Sequence, residues 1–108
     1  MTTFNDRERG EEAHFAHDEE MQFRITARRN RLMGEWAAGL MGLTEVEATS
    51  YAKDVVRADF EEAGDEDVIR KLLGDMTSAG VDIDDARIRE ALLHKTVDAR
   101  RQLMESQG

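Results

Sequence analysis

The side chains best equipped for chemistry in this 108-residue chain are its carboxylates and three histidines, since it has no cysteine. Two groupings of them invite a ligand. Asp59, Glu61, Glu62, Asp65, Glu66 and Asp67 surround Gly64, and taking Asp59 as the first position of a calcium loop puts Gly64 at the sixth. The match then fails. The fifth position is Ala63 and the twelfth is Arg70, where a calcium loop needs a carboxylate that binds through both oxygens. His14 and His17, with Asp18 adjacent, would share one side of a helix, and two imidazoles with a carboxylate can bind zinc. No third strong ligand accompanies them, so no metal site is expected. The pair does offer a proton response, because imidazole changes charge around pH 6.5 and would add positive charge to a segment dense with carboxylates. The chain shows no glycine loop able to cradle phosphate, no nucleophile beside an evident base, and no interleaving of aromatic and basic residues suited to nucleic acid. These residues point to a binding module rather than an enzyme, and they imply no cofactor.

The composition fits that reading. Twenty-four acids against fifteen Lys and Arg give a net charge of -9, which opposes non-specific binding to nucleic acid or to an anionic membrane and favours a basic partner surface. Without cysteine there are no disulfides and no thiolate metal sites. No apolar run reaches the roughly 18 residues of a membrane span, and the N-terminus has acids and arginines where a signal peptide needs an apolar core. A cytoplasmic protein that does not insert in the membrane is expected. The absence of proline, together with few aromatics and many Ala, Glu, Arg and Leu residues, favours helix nearly everywhere.

The elements that must position these groups can be read from periodicity and caps. From Met21 onward, Met21, Ile25, Leu32, Trp36 and Leu40 recur at helical steps and predict an apolar stripe. Before it, Met1 to Glu20 carries seven acids and two arginines but only Phe4, Phe15 and small apolar residues, too few to repay backbone ordering at roughly 1–2 kcal/mol per residue. This arm is expected to be loose when alone and to become helical on a partner. A basic collar follows it, since Arg24, Arg28, Arg29 and Arg31 have no acid among them, and at least one of the Arg28 and Arg29 stems should lie along the core edge.

Gly42 should stop the first helix, and Thr44 with Glu47 forms a capping box that starts the second. That helix carries Ala48, Ala52, Val55, Val56, Phe60 and Ala63 on its stripe and stops at Gly64. Asp65 should cap the third, whose inner face is Val68, Ile69, Leu72, Leu73 and Met76, with Glu66 paired to Arg70, Asp67 to Lys71, and Gly80 at its end. Asp84 should cap the fourth, with Ile83 and Ile88 as a hydrophobic staple and Ala91, Leu92, Ala99 and Leu103 turned inward. The expected fold is all-α, a small four-helix bundle at 21–108 with an arm at 1–20.

Read as strings, FNDRERGEEAHFAHDEEMQFRITARRNRLMGEWAAGLMGLT and YAKDVVRADFEEAGDEDVIRKLLGDM resemble the F1-ATPase inhibitor family of alphaproteobacteria, the zeta subunits. The most specific pieces are RER at Arg7 to Arg9, FAHDEEMQF at Phe15 to Phe23, ARRN at Ala27 to Asn30 and FEEAGDEDV at Phe60 to Val68. The resemblance implies a four-helix bundle whose N-terminal arm inhibits F1, the catalytic part of ATP synthase. It implies that Phe4, Arg7, Arg9, His14, Phe15 and His17 enter an interface between the catalytic alpha and beta subunits, with gamma a further candidate. Arg24, Arg28, Arg29 and Arg31 are additional candidate contacts. It further implies a monomer when free, held at the cytoplasmic face of the inner membrane through F1. Gly10, Glu11 and His14 depart from the pattern of small and aromatic residues and a lysine that the resemblance implies for a strongly gripping arm. A non-inhibitory acidic accessory protein, with a small ligand of its own, is the alternative, and the arm discriminates the two.

Overall fold

A computed structural model describes residues 2–58 and 65–107, with side chains described for 19–58 and 65–106. Among the described residues all regular structure is helical: α1 (Thr2–Leu40), α2 (Glu45–Ala58), α3 (Glu66–Ser78) and α4 (Asp85–Gln107). The boundaries follow from local chemistry. At the end of α1, Gly42 adopts φ +73°, and this left-handed turn lets the Leu43 N–H donate to the Ala38 carbonyl at 3.0 Å, which satisfies one of the carbonyls left over at a helix end. Thr44 and Glu47 then form the predicted capping box: the Thr44 N–H donates to Glu47 Oε1 at 2.9 Å and the Glu47 N–H to Thr44 Oγ1 at 3.2 Å. The Thr44 backbone N–H, and after it the Thr44 side chain, hold the Glu47 carboxyl below its ordinary pKa. Gly80, at φ +84°, ends α3 in the same manner as Gly42 ends α1, with the Val81 N–H donating to the Met76 carbonyl at 2.9 Å. Asp84 caps α4 by accepting the Arg87 N–H at 2.8 Å.

Helix α1 is the spine of the bundle and packs against all three of the others. The core joins Met33 and Ala37 of α1, Val55 of α2, Val68, Ile69, Leu72 and Met76 of α3, and Ile88, Ala91 and Leu92 of α4. On α3 and α4 the predicted inner faces are the observed ones, with Leu73 and Leu103 at their partly buried margins. The stripe predicted for α1 is only one edge of what is buried. Ile25 is buried, but Leu32 and Trp36 are partly exposed and Leu40 is exposed, whereas Arg29, Asn30, Met33, Gly34, Ala37 and Ala38 lie inside. At ~100° per residue, the buried positions from Ile25 round to Ala38 span an arc of about 220°, because α1 has α2 on one side and α4 on the other. Small residues make the α2 side possible: a Cβ on Gly34 would come within 2.6 Å of Ala52 Cα. Of the apolar positions predicted for α2, Ala52 and Val55 are buried and Ala48 and Val56 are partly buried, while Phe60, Ala63 and the stop at Gly64 lie outside the described residues.

Candidate partner interface

The backbone of the arm is the first half of α1, so the segment predicted to meet a partner and the central helix of the bundle are one element. The side chains of Phe4, Arg7, Arg9, His14, Phe15 and His17 lie outside the described residues, as does the acidic passage from Asp59 to Gly64. What is described is the root of the arm and its collar. Three of the four arginines there keep their charge at the surface. Arg24 pairs with Glu20 at 2.8 Å, Arg31 with Glu35 at 3.2 Å, and Arg28 donates to Gln102 of α4 at 3.4 Å.

Arg29 is different. It is only 8% exposed, and its guanidinium donates twice to Asn30 Oδ1, at 3.1 and 2.9 Å, and once to Asp65 Oδ1 at 2.8 Å. Of Arg28 and Arg29, at least one of which is expected at the core edge, it is Arg29 that is buried, and the tie joins the root of the arm to the start of α3. Asp65 does stand at the N-cap of α3, yet its side chain makes no cap hydrogen bond, because the carboxylate serves Arg29 instead. Asn30, a residue that sequence reasoning overlooked, is fully buried, with its Nδ2 unpartnered among the described residues. The clue in the sequence is a polar amide standing where helical spacing from Ile25 and Met33 places the interior.

Two further ties hold the short helix α3 against its neighbours. The Tyr51 hydroxyl of α2 donates to Asp75 Oδ2 at 2.7 Å, and Lys71 reaches the same oxygen at 3.0 Å while its ammonium sits 5.2 Å from the Tyr51 ring centre. Burial, and then the Asp75 carboxylate, push the phenol well above its ordinary pKa, so it remains a donor throughout the working range. On the other side, Arg89 of α4 grips Glu66 through two parallel bonds of 3.0 and 2.9 Å. The predicted pairs within α3 give way to these contacts. Glu66 faces Arg89 rather than Arg70, Lys71 faces Asp75 rather than Asp67, and Asp67 pairs with Arg70 at 3.4 Å.

Between α1 and α2 an open groove of about 360 Å³ is lined by Arg31, Lys53 and Arg57 over Thr49, Ala52 and Val56. Among the described residues no group of three or more His, Cys, Asp or Glu side chains could hold a metal ion, and no helix is long and apolar enough to cross a membrane. The geometry is that of a rigid bundle with a basic collar where its longest helix leaves the packed core.

Comparison with family models gives a match to the ATPase inhibitor subunit zeta over residues 1–102, which takes in both the arm and the bundle. This chain belongs to the ATPase inhibitor subunit zeta family. The zeta fold is seen again in a protein of known structure, solved by solution NMR, that is 46% identical to this chain. The two superpose with a TM-score of 0.72, covering 80% of this chain and 98% of the other. A comparison with curated proteins gives no match. Zeta membership accords with the resemblance carried by the RER, FAHDEEMQF, ARRN and FEEAGDEDV motifs.

Proposed function

We propose that this zeta protein inhibits F1-ATPase by inserting the arm at 1–20 between catalytic alpha and beta subunits while the bundle at 21–108 stays outside. Phe4, Arg7, Arg9, His14, Phe15 and His17 make the inserted contacts, and the surface arginines Arg24, Arg28 and Arg31 meet the rim of the opening. A helix held between subunits obstructs the domain closure that nucleotide turnover requires, so hydrolysis and rotation stop without any catalytic residue on the inhibitor. The protein is then not an enzyme, needs no cofactor, and resides in the cytoplasm at the face of the membrane where F1 stands. The free arm is loose and pays its ordering cost on binding.

The observation that carries this reading is the zeta match across residues 1–102, joined to a core whose buried residues, among those described, begin only at Ile25. Of the residues of this 39-residue helix whose side chains are described, those from 19 to 24 lie outside the core and Ile25 is the first inside it, which supports an arm that is used outside the bundle. Deleting residues 1–20 is the test. The thermal midpoint should stay nearly unchanged, and inhibition of ATP hydrolysis by F1 should disappear. A shortened protein that inhibits as well as the intact one would overturn the insertion mechanism.

A further inference from the structure

Helix α4 is apolar on two opposite faces. Its inner face carries Ile88, Ala91, Leu92 and Ala99 into the core. Leu93, Val97 and Met104 lie on the far side of the same helix, at steps of four and seven, and are 70%, 65% and 65% exposed. They form a stripe about 16 Å long, given a rise of ~1.5 Å per residue. Because the stripe points directly away from the core, no rearrangement within the bundle can cover it while Ile88 and Ala99 remain inside. Near its C-terminal end, Val97, Arg100, Arg101, Met104 and Glu105 line a shallow hollow of about 450 Å³.

We infer that this outer face of α4 is a second docking surface for the same F1 partner, fitting an apolar spot rimmed by acidic side chains beside the opening that receives the arm. The inference rests on the insertion reading above and adds a second point of attachment to it. Position supports it first. The Arg28–Gln102 hydrogen bond brings the C-terminal half of α4 alongside α1 about two turns beyond the end of the arm, so Val97 and Met104, on the outer side of α4, stand level with the place where the arm leaves the bundle. Charge supports it next. In a chain of net charge -9, this end of the molecule combines the arginine collar with Arg100 and Arg101; Arg101 has acids of its own helix nearby, at 3.5 and 4.0 Å, and among the described residues no carboxylate pairs with Arg100. Arg100, the arginine of this edge that no described carboxylate pairs, stands beside an apolar centre and selects an acidic side chain beside an apolar centre.

Size then chooses between F1 and a second copy of this chain. Three side chains of this kind make a patch on the order of a few hundred Å², whereas a free-standing interface buries roughly 1,000 Å² or more. A second copy would have nothing else to hold it. F1, already engaged by an arm about 30 Å long as a 20-residue helix, would meet the patch at high effective concentration, and a small contact suffices there.

The experiment uses the full-length chain with Val97 and Met104 both changed to Asp, and a second variant, Arg100→Glu with Arg101→Glu, that alters only surface charge. Binding to F1 and inhibition of ATP hydrolysis are titrated, and circular dichroism confirms that each variant is folded. We expect each variant to need at least tenfold more protein for half-maximal inhibition while reaching the same maximum as the wild type. Wild-type inhibition with unchanged half-maximal concentrations in both folded variants would overturn the second docking surface and leave the insertion reading intact. A wild type that does not inhibit at all would overturn both. Sedimentation showing a wild-type dimer that the Asp variant converts to monomer would overturn F1 as the occupant in favour of a second copy.

Discussion

Arg89 holds two carboxylates at once, Glu66 on α3 and Asp85 one turn earlier on its own helix, and the effect on Glu66 has a measurable sign. The hydrogen bonds from Arg89 hold the Glu66 carboxyl below its ordinary value of 4.5. A carboxyl whose folded pKa is depressed adds stability above its unfolded pKa and loses it as pH falls through the folded one. Glu66→Gln should therefore lower the thermal midpoint at pH 7, and the gap from wild type should narrow once the pH drops below 4.5 and close in stronger acid. Because both side chains are well exposed, at 45% and 67%, the gap should be small and should shrink with added salt. Melts of the two proteins at pH 7 and pH 3, with and without salt, check this; a gap that widens in acid would contradict it.

At the scale of elements, the crossing of α1 over α2 is set by a missing side chain. A Cβ at Gly34 would overlap Ala52 Cα at 2.6 Å and press on Val55, and backbone cannot yield as a flexible side-chain tip can. Gly34→Ala should therefore destabilise the protein by about 1–3 kcal/mol, the usual range for overpacking, even though alanine favours helix. Gly74, inside α3, is the control. A Cβ there meets nothing within 4 Å, so Gly74→Ala should stabilise by roughly 0.5–1 kcal/mol. Urea denaturation of both variants decides the matter, and equal effects at the two sites would show that the close approach is not what Gly34 provides. The same crossing explains which features could be read from sequence. Thr44 with Glu47, Asp84, Gly42 and Gly80 were legible because a cap is made by residues a few positions apart. Met33, Ala37 and Ala38 were not assigned to the interior, since a helix buried on two sides has no single stripe and small residues give a weak periodic signal. The partners of Arg29 and Arg89 lie 36 and 23 positions away, and only the packed helices bring them together. The family motifs fared otherwise, because a string resemblance does not depend on which face a residue takes.

For the whole molecule, the continuity of α1 makes the arm's helicity a property of the inhibitor as a unit. Gly10 sits within a helix that runs from Thr2 to Leu40, and glycine in a helix interior costs ~1 kcal/mol relative to alanine. If the arm is loose when free and helical when bound, Gly10→Ala should lower the concentration for half-maximal inhibition of F1 by up to about fivefold, the equivalent of ~1 kcal/mol. A titration showing no gain would place a break in the bound arm at Gly10.

The burial of α1 between α2 and α4 also bears on how the protein would take a mechanical load. A pull on the N-terminus along the axis of α1 loads its contacts with both flanking helices together, in shear, with the Arg29–Asp65 tie and the Gly34–Ala52 crossing sharing the strain. A peeling force would instead break such contacts one at a time. On the proposed insertion, F1 would tug this protein by its arm, and the arm is continuous with the one helix that all the others clasp.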